Sequence, residues 1–197
     1  MLILTHLSFI NYNFNHLFIF FIIYAFIGWI MESSAVSMKQ RKIINSGFLY
    51  GPFCPIYGIG ALLLLILVSP FGNNYLIIFI LSFFIASIWE YYVSLGMEKI
   101  LGFKWWDYSN IHFNLNGRIN LLYSIIWGLL GTILIKVIHP LINNFINHID
   151  NYYLNIFIIG FIFYIIFDIL LSIIKILEIK KYILKQKISF HDFLSKK

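Results

Sequence analysis

The sequence predicts an all-α fold: a membrane-embedded bundle of five transmembrane helices. Of its 197 residues, 61% are hydrophobic, 20% are aromatic and only 11% are charged, and the mean hydropathy is +0.87. A soluble domain of this size cannot bury so much apolar surface, because most residues of a small domain contact water. The charged residues gather in short clusters between long apolar runs, as expected of a chain that crosses a bilayer several times.

The five predicted spans follow the apolar runs of the sequence. They cover residues 17–38, 55–68, 75–97, 119–138 and 152–174, so the transmembrane domain is 1–174. A helix needs about 20 residues to cross the hydrocarbon layer, so the second span is short unless the glycine-rich stretch before it also lies in the membrane. The Pro, Gly and Asn residues of 69–74 are typical of a tight turn, which predicts a hairpin between spans two and three.

The lysines and arginines predict the orientation of the spans. They follow span one, lie between spans three and four, and follow span five, whereas Lys136 lies near the opposite side. The positive-inside rule then places the N-terminus outside and the C-terminus in the cytoplasm, for a multi-pass protein of the cell membrane. The net charge of +6 is explained by this topology and predicts no nucleic-acid partner. The basic cytoplasmic tail, 175–197, either lies along the inner leaflet as an amphipathic helix or only retains the C-terminus inside.

Spans one and two resemble spans three and four. Glu32 near the end of span one corresponds to Glu90 near the end of span three, and IYG (56–58) corresponds to IWG (126–128). In both halves a glycine opens the following span at the same distance before the glycine of that tripeptide. The similarity predicts parallel repeats related by an axis along the membrane normal, with span five as an addition. The alternative is that small-residue, aromatic-rich helices resemble one another by chance.

Three carboxylates occur inside apolar helices: Glu32, Glu90 and Asp168. At 1.5 Å per residue, each lies about 6–9 Å inside the predicted cytoplasmic boundary. A charge within the membrane costs free energy, so these side chains are expected to face one another, a cavity or a cation. They either line a cytoplasm-facing pathway that binds a cation, a proton or a basic group, or form structural salt bridges with Arg118 or Lys99, or reach the water of the interface.

The loop KWWDYSNIHFNLNGR (104–118) separates spans three and four. Its aromatic residues suit the membrane interface, where a ring and a polar N–H or O–H are both satisfied. These interfacial residues are Trp105, Trp106 and Tyr108. Asp107 and Arg118 are expected to pair. The loop is interpreted either as a gating or partner-docking element or as an interfacial anchor.

The stretch GFLYGPFCPIYGIG (47–60), called here the glycine-rich segment, carries no charge and many helix-breaking residues. Non-helical backbone at membrane depth occurs only where it is buried in protein or lines a water-filled cavity. The segment is therefore either a broken, flexible start of span two that presents backbone groups to a ligand, or a site of tight small-residue packing. Its candidate residues are Gly47, Tyr50, Gly51, Pro52, Pro55, Tyr57 and Gly58.

Several catalytic signatures do not occur in the sequence. It contains no G-x-x-x-x-G-K-[ST], no H-E-x-x-H and no G-x-S-x-G. Cys54 is the single cysteine, and no histidines have the spacing of a metal pair. We therefore expect no enzymatic activity, no metal and no cofactor in this chain, so any ATP hydrolysis must come from another chain.

Four blocks, in order, resemble the ABC-transporter permease family called type IV, or CmpB-like. They are GWIMES (28–33), NSGFLYGPFCPIYGIGAL (45–62), WEYYVSLGMEKILGFKWWDYS (89–109) and FNLNGRINLLYSIIWGLLG (113–131). The positions that match the family pattern include Glu32, Glu90, Trp105, Trp106, Asp107, Gly117 and Arg118. Ser46 departs from it, since an arginine is commoner there, and Asn120 and Tyr123 are further local variants. The resemblance covers about 27–140 and implies a permease.

The sequence thus predicts a permease-like subunit in a lipid bilayer, served by a separate ATPase or assembled as a homo-oligomer, because five helices line only a narrow path. In this hypothesis Glu32, Glu90 and Asp168 line the pathway, Arg118 is their counter-charge and the glycine-rich segment is a flexible wall. The alternative is a non-transporting sensor, assembly factor or lipid-binding scaffold, in which the carboxylates form a structural lock. An intramembrane enzyme is the third and weakest hypothesis.

Overall fold

The computed structural model describes residues 12–186, and this part of the chain is helical, as predicted. The helices are α1 (Phe14–Gln40), α2 (Pro55–Leu67), α3 (Tyr75–Leu101), α4 (Leu121–Ile133), α5 (His139–Asn147) and α6 (Asn151–Gln186). A short 3₁₀ turn (Ser69–Phe71) follows α2, and a π-helical turn (Leu134–Ile138) joins α4 to α5. Two short antiparallel strands, β1 (Asn114–Leu115) and β2 (Ile119–Asn120), form a hairpin before α4.

Four helical stretches are long and apolar enough to cross a membrane. They are Phe14–Gln40, Tyr75–Leu101, Leu121–Asn147 and Asn151–Ile183. The remaining predicted span, α2, has 13 residues and so measures about 20 Å, against a hydrocarbon thickness of about 30 Å. The non-helical chain at 41–54 precedes it. The structure therefore shows four long apolar helices, and the second predicted span is a helix of about two thirds of the length needed to cross the membrane.

The turn predicted between spans two and three is present. The 3₁₀ turn leads into α3, whose N-cap Asn74 accepts hydrogen bonds on its side chain from the N–H groups of Leu76 (3.0 Å) and Ile77 (3.2 Å). Such a cap satisfies N–H groups that have no partner within the helix. The core next to this turn includes Phe20, Val68 and Ile78, each completely buried. The apolar core thus lies toward the end of the bundle that is opposite the C-terminus of α3.

The fourth predicted span continues to Asn147 instead of ending at 138. Pro140 has no N–H to donate to the preceding turn, and the π-helical turn lies directly before it. His139, which is buried at this junction, forms hydrogen bonds with the hydroxyls of Tyr12 (3.0 Å) and Tyr24 (2.8 Å). These bonds hold α5 against the N-terminal part of α1 and let the helix continue beyond a proline.

Helix α6 extends well past its predicted end. It has 36 residues, about 54 Å, and continues through the first part of the predicted tail because no glycine or proline interrupts 161–186. One narrow stripe of it is buried, and much of the remaining surface is exposed and apolar. The buried stripe includes Leu154, Ile158, Phe161, Asp168 and Ser172. Residues 187–197, the rest of the tail, lie outside the described part of the chain.

Within each helix pair, a glycine allows close packing. A Cβ added at Gly58 of α2 would lie 2.6 Å from the ring and 2.7 Å from the backbone oxygen of Phe21 on α1. A Cβ added at Gly128 of α4 would lie 2.7 Å from the ring of Phe79 on α3. Small residues at such positions let two helices approach closely inside a membrane. These two contacts pack α2 closely against α1 and α4 closely against α3, each about three turns before the glutamate of the longer helix.

Candidate functional site

The candidate site lies at the end of the bundle formed by the C-termini of α1 and α3, called here the basic end. Lys39 and Lys99 lie in the last turns of these helices, and the loop 102–120 adds Lys104 and Arg118. All three intramembrane carboxylates lie on helices that pass through this end. The structure places them in two different environments, which are described in turn.

Glu32 is half-buried on α1 and contacts the chain that leads into α2. Its Oε1 accepts a hydrogen bond of 2.7 Å from Ser46 Oγ, and the neighbouring Ser33 Oγ accepts one of 3.0 Å from the Ser46 N–H. The Tyr57 hydroxyl also lies near Glu32, and the Cys54 thiol beside it donates to the Ser46 oxygen at 3.7 Å. The carboxylate is therefore surrounded by neutral donors from the glycine-rich segment and the residue just before it.

Glu90 is buried on α3, with 6% of its surface exposed. Trp127 on α4 donates its indole N–H to Oε2 at 2.8 Å, and Tyr108 of the loop donates its hydroxyl to Oε1 at 3.1 Å. The Tyr108 ring stacks on Tyr123 at 5.0 Å, which holds the phenol in place. Burial, and after it the Glu90 carboxylate, raise the pKa of Tyr108 well above its usual value. Tyr108 therefore stays protonated and remains a donor to Glu90.

The two glutamates belong to one group of side chains. The rings of Tyr57 and Trp127 meet edge to face at 5.9 Å, which joins the surroundings of Glu32 to those of Glu90. We call Glu32, Glu90, Tyr57, Trp127 and Tyr108 the twin-carboxylate group. Each glutamate lies near an aromatic residue of the next helix, since Glu32 lies near Tyr57 and Glu90 accepts a hydrogen bond from Trp127. Glu32 and Glu90 are thus linked through aromatic side chains, and the expectation that the carboxylates face one another stays a prediction.

Asp168 has a different role from the two glutamates. Its Oδ1 accepts the N–H of Tyr50 and its Oδ2 accepts the N–H of Gly51, both at 2.9 Å. Ser172, one turn later on α6, also accepts the Tyr50 N–H through Oγ at 3.0 Å. Hydrogen bonds from backbone N–H groups to a carboxylate are among the strong ones. Asp168 thus fastens the glycine-rich segment to α6 and is not part of the twin-carboxylate group.

The glycine-rich segment is non-helical over 47–54 and also tightly packed, so it combines the two alternatives that the sequence left open, and several of its N–H groups have partners inside the protein. Gly47 has φ +107°, and the Cys54 N–H donates to the Ala25 oxygen on α1 at 3.0 Å. Gly51 lies so close to Tyr164 and Asp168 that there is no room for a side chain. The interpretation that this segment presents free amides to a ligand is therefore wrong for Tyr50 and Gly51. Pro52 precedes α2 and Pro55 is its first residue, where a fixed φ and a missing N–H are favourable.

The salt bridges at the basic end differ from the predicted ones. Among residues 12–186, the two ion pairs join Lys104 to Asp107 at 3.5 Å and Arg118 to Glu98 at 2.5 Å. The predicted pairing of Asp107 with Arg118 is therefore wrong. Arg118 is also not the counter-charge of Glu32, Glu90 or Asp168, because it is held by Glu98 two turns beyond Glu90. The three intramembrane carboxylates take part in neither pair.

The loop 102–120 folds into an ordered cap over this end. Trp106 donates its indole N–H to the Arg118 oxygen at 2.9 Å, and Trp105 lies 6.3 Å, ring to ring, from Phe48 of the glycine-rich segment. Gly117 takes φ +68° in the hairpin between β1 and β2. Partial burial acts to raise the pKa of Asp107, but hydrogen bonds from Ser109, and after them the nearby Lys104, hold it below its usual value. The aromatic residues predicted for the interface therefore hold the loop together through specific contacts.

The chain matches, over residues 19–173, the family described as "Putative ABC-transporter type IV". It belongs to this family. The match includes α2, α3 and α4, most of α1 and α6, and all three intramembrane carboxylates, and so confirms the family resemblance seen in the sequence. No curated protein and no solved structure matches the chain significantly. With four long apolar helices, this type IV family member is a multi-pass membrane protein.

Sequence reasoning missed several partners of the carboxylates in this type IV protein. Trp127 was visible as the middle residue of the IWG tripeptide, which aligns with Tyr57, but its bond to Glu90 needs the packed structure. Tyr164 and Ser172 lie four residues on either side of Asp168, so helical spacing alone marks them as its neighbours. Ser46 and Glu98 carried no comparable signal in the sequence.

Proposed function

We propose that this protein is the membrane-embedded component of an ABC-type transporter, with the ATPase supplied by a separate chain. The family match carries the proposal, and the four long apolar helices support it. The sequence contains no Walker A motif, which supports an ATPase on another chain. We also propose a dimer of this chain or a further membrane partner, because so few helices line only a narrow path.

In this proposal the protein lies in the cell membrane with the basic end toward the cytoplasm. The N-terminus is then outside and the C-terminus inside. The distribution of lysine and arginine supports this orientation, since Lys39, Lys99, Lys104 and Arg118 all lie at the basic end. The ATPase would then meet the chain at the segment 41–54 and the loop 102–120, which cover that end.

The twin-carboxylate group is proposed as the part of the pathway that binds a cation, a proton or a basic group. Its support is that Glu32 and Glu90 both lie in apolar helices and that Glu90 accepts hydrogen bonds from the neutral donors Tyr108 and Trp127, with neither glutamate in an ion pair among residues 12–186. A positive charge offsets the cost of a carboxylate within the membrane more fully than a neutral hydroxyl or indole does. Asp168 would hold the glycine-rich segment as the wall of this pathway.

We propose that α1–α2 and α3–α4 are parallel repeats, with α6 as an addition. In that arrangement, the glycine-rich segment and α2 together correspond to the hairpin and α4. Three corresponding features support it: Glu32–Tyr57 with Glu90–Trp127, Gly58–Phe21 with Gly128–Phe79, and positive φ at Gly47 with positive φ at Gly117. Two related halves that place one carboxylate each beside a common axis are a plan used by transporters.

Glu32→Gln and Glu90→Gln test the pathway. Each amide keeps the size of the side chain and accepts at least one of the neutral hydrogen bonds, but it removes the negative charge. We expect normal membrane abundance and an unchanged thermal midpoint, with a fall of roughly tenfold or more in ATP-dependent flux of labelled Na⁺, K⁺, Mg²⁺ or alkylammonium ions into inside-out vesicles. Glu178→Gln, the same change at an exposed position of α6, is the control and should leave the flux unaltered.

A second proposed function is that of a non-transporting scaffold. It is favoured by the hydrogen bonds of Glu90, since each of its two carboxylate oxygens already accepts one from the protein. In that function the twin-carboxylate group is a structural lock. The same variants decide between the two: loss of folded protein in Glu90→Gln, with Glu178→Gln unaffected, supports the lock and overturns the pathway.

A further inference from the structure

A groove of about 410 Å³ lies between α3 and α4, away from the twin-carboxylate group. Its walls are the α3 residues from Phe83 to Tyr92, the β1–β2 hairpin and the first turn of α4. The aromatic and aliphatic residues at its rim are strongly exposed, including Phe84 (56%), Ile88 (54%) and Tyr92 (63%). The groove therefore opens on the outer surface of the bundle, where a membrane protein meets lipid chains.

The floor of the groove is polar at one point. Ser87 donates a hydrogen bond to Ser124 at 2.7 Å, and Asn120 is almost fully buried, with 2% of its surface exposed. Asn120 Oδ1 accepts the Tyr123 N–H at 3.1 Å as the N-cap of α4, whereas its Nδ2 has no hydrogen-bond partner among the described residues. Buried donors in folded proteins nearly always have an acceptor. Asn120 lines the groove, so an acceptor that enters it and slightly displaces the side chains over Nδ2 would satisfy this amide.

We propose that the groove binds one acyl chain of a glycerophospholipid from the leaflet at the basic end, with an ester oxygen accepting from Asn120 Nδ2. The α3 wall from Phe83 to Tyr92 rises about 14 Å, close to half of the roughly 30 Å hydrocarbon layer, which is the depth of one leaflet. Asn120, Tyr91 and Tyr92 lie at the basic end of the groove. Phe83 lies at its deep end. This order matches a lipid, whose ester groups lie nearest the interface and whose chain ends are deepest.

The headgroup is not the recognised part. Arg118 lies over the Tyr91 ring at 5.7 Å, beside the groove, but its charge is offset by the ion pair with Glu98. Within the described part of the chain, the groove therefore has no free positive charge for a phosphate, and recognition depends on the apolar walls and on Asn120. This inference does not depend on the transport proposal, since a bound lipid fits a transporter and a scaffold alike.

Photolabelling with a phosphatidylethanolamine that carries a diazirine in one acyl chain tests the proposal in the full-length protein in nanodiscs. We expect the α3 peptide containing 83–92 to be labelled more strongly than the equally exposed α6 peptide around Phe163 and Phe167. Phosphatidylglycerol with the same chain should label it equally well.

Two variants and one matched control complete the test. Leu121→Trp places a large ring at the rim of the groove, and Asn120→Asp keeps the N-cap acceptor of α4 but removes the donor. Each should reduce labelling of the α3 peptide by roughly tenfold. Leu122→Trp, next along the chain, exposed and outside the groove, should leave the labelling unchanged. Equal labelling in Leu121→Trp and in the unchanged protein, or a covalent dimer as the main product, would overturn the proposal, and a dimer would assign the groove to a second copy.

Discussion

Asp168→Ala is expected to destabilise the protein by about 2–4 kcal/mol, because it leaves the backbone N–H groups of Tyr50 and Gly51 without the carboxylate that accepts them. Tyr50 and Gly51 lie in the non-helical part of the glycine-rich segment, where Gly51 packs directly against α6. Water is therefore a poor replacement for the carboxylate as an acceptor of these N–H groups. At the size of this chain the loss corresponds to a fall of roughly 5–15 °C in the thermal midpoint. Thermal unfolding of the purified protein in one detergent measures it.

Two further substitutions make this prediction specific. Ser172→Ala removes one acceptor of the Tyr50 N–H but leaves Asp168 in place, so it should lower the midpoint much less. Asp168→Asn keeps one acceptor oxygen and should lie between the other two. If Asp168→Ala and Ser172→Ala lower the midpoint equally, Asp168 is not what fastens the glycine-rich segment.

Two glycine-to-alanine substitutions are expected to have opposite effects. A Cβ at Gly58 would lie 2.6 Å from the ring and 2.7 Å from the backbone oxygen of Phe21, so Gly58→Ala must push α1 and α2 apart. Overpacking of this kind costs about 1–3 kcal/mol. A Cβ at Gly160 on α6 would meet no atom within 4 Å, so Gly160→Ala should stabilise the helix by about 0.4–1 kcal/mol.

The glycine pair is measured by the yield of folded protein and the thermal midpoint of each variant. Gly58→Ala should lower both, and Gly160→Ala should leave the yield unchanged and raise the midpoint slightly. An equal response of both variants would mean that α1 and α2 do not pack as closely as the contact with Phe21 indicates.

The helices were largely predictable because long apolar runs have few alternatives in a bilayer. Their ends were less so. The end of span five was predicted at 174 because the lysines of the tail begin at the next residue. Lysine favours a helix about as well as leucine, however, and α6 continues to Gln186. The predicted end of span four preceded Pro140, whereas a π-helical turn lets the helix pass it. Charge and proline mark where a chain can leave the membrane or the helix, not where it does.

At the candidate site, the sequence indicated the unusual residues but not their partners. A carboxylate within an apolar helix is conspicuous, which is why Glu32, Glu90 and Asp168 were all singled out. Asp168 and Tyr50 are joined only by tertiary packing, and no local pattern connects them. Arg118 had several acidic residues within reach, and which of them it pairs with depends on how the hairpin folds back on α3. Partners that are distant in the chain are set by packing, which one sequence does not contain.

Copurification of an ATPase tests the central claim, that this chain is the membrane component of an ABC-type transporter. The tagged protein is extracted from its native membrane in a mild detergent, and the eluate is assayed for ATP hydrolysis and for associated chains; an unrelated multi-pass protein with the same tag is the control. The account predicts a stoichiometric subunit with a Walker A motif and ATP hydrolysis absent from the control. An eluate that contains only this chain and lipid, with no more ATP hydrolysis than the control, would contradict it.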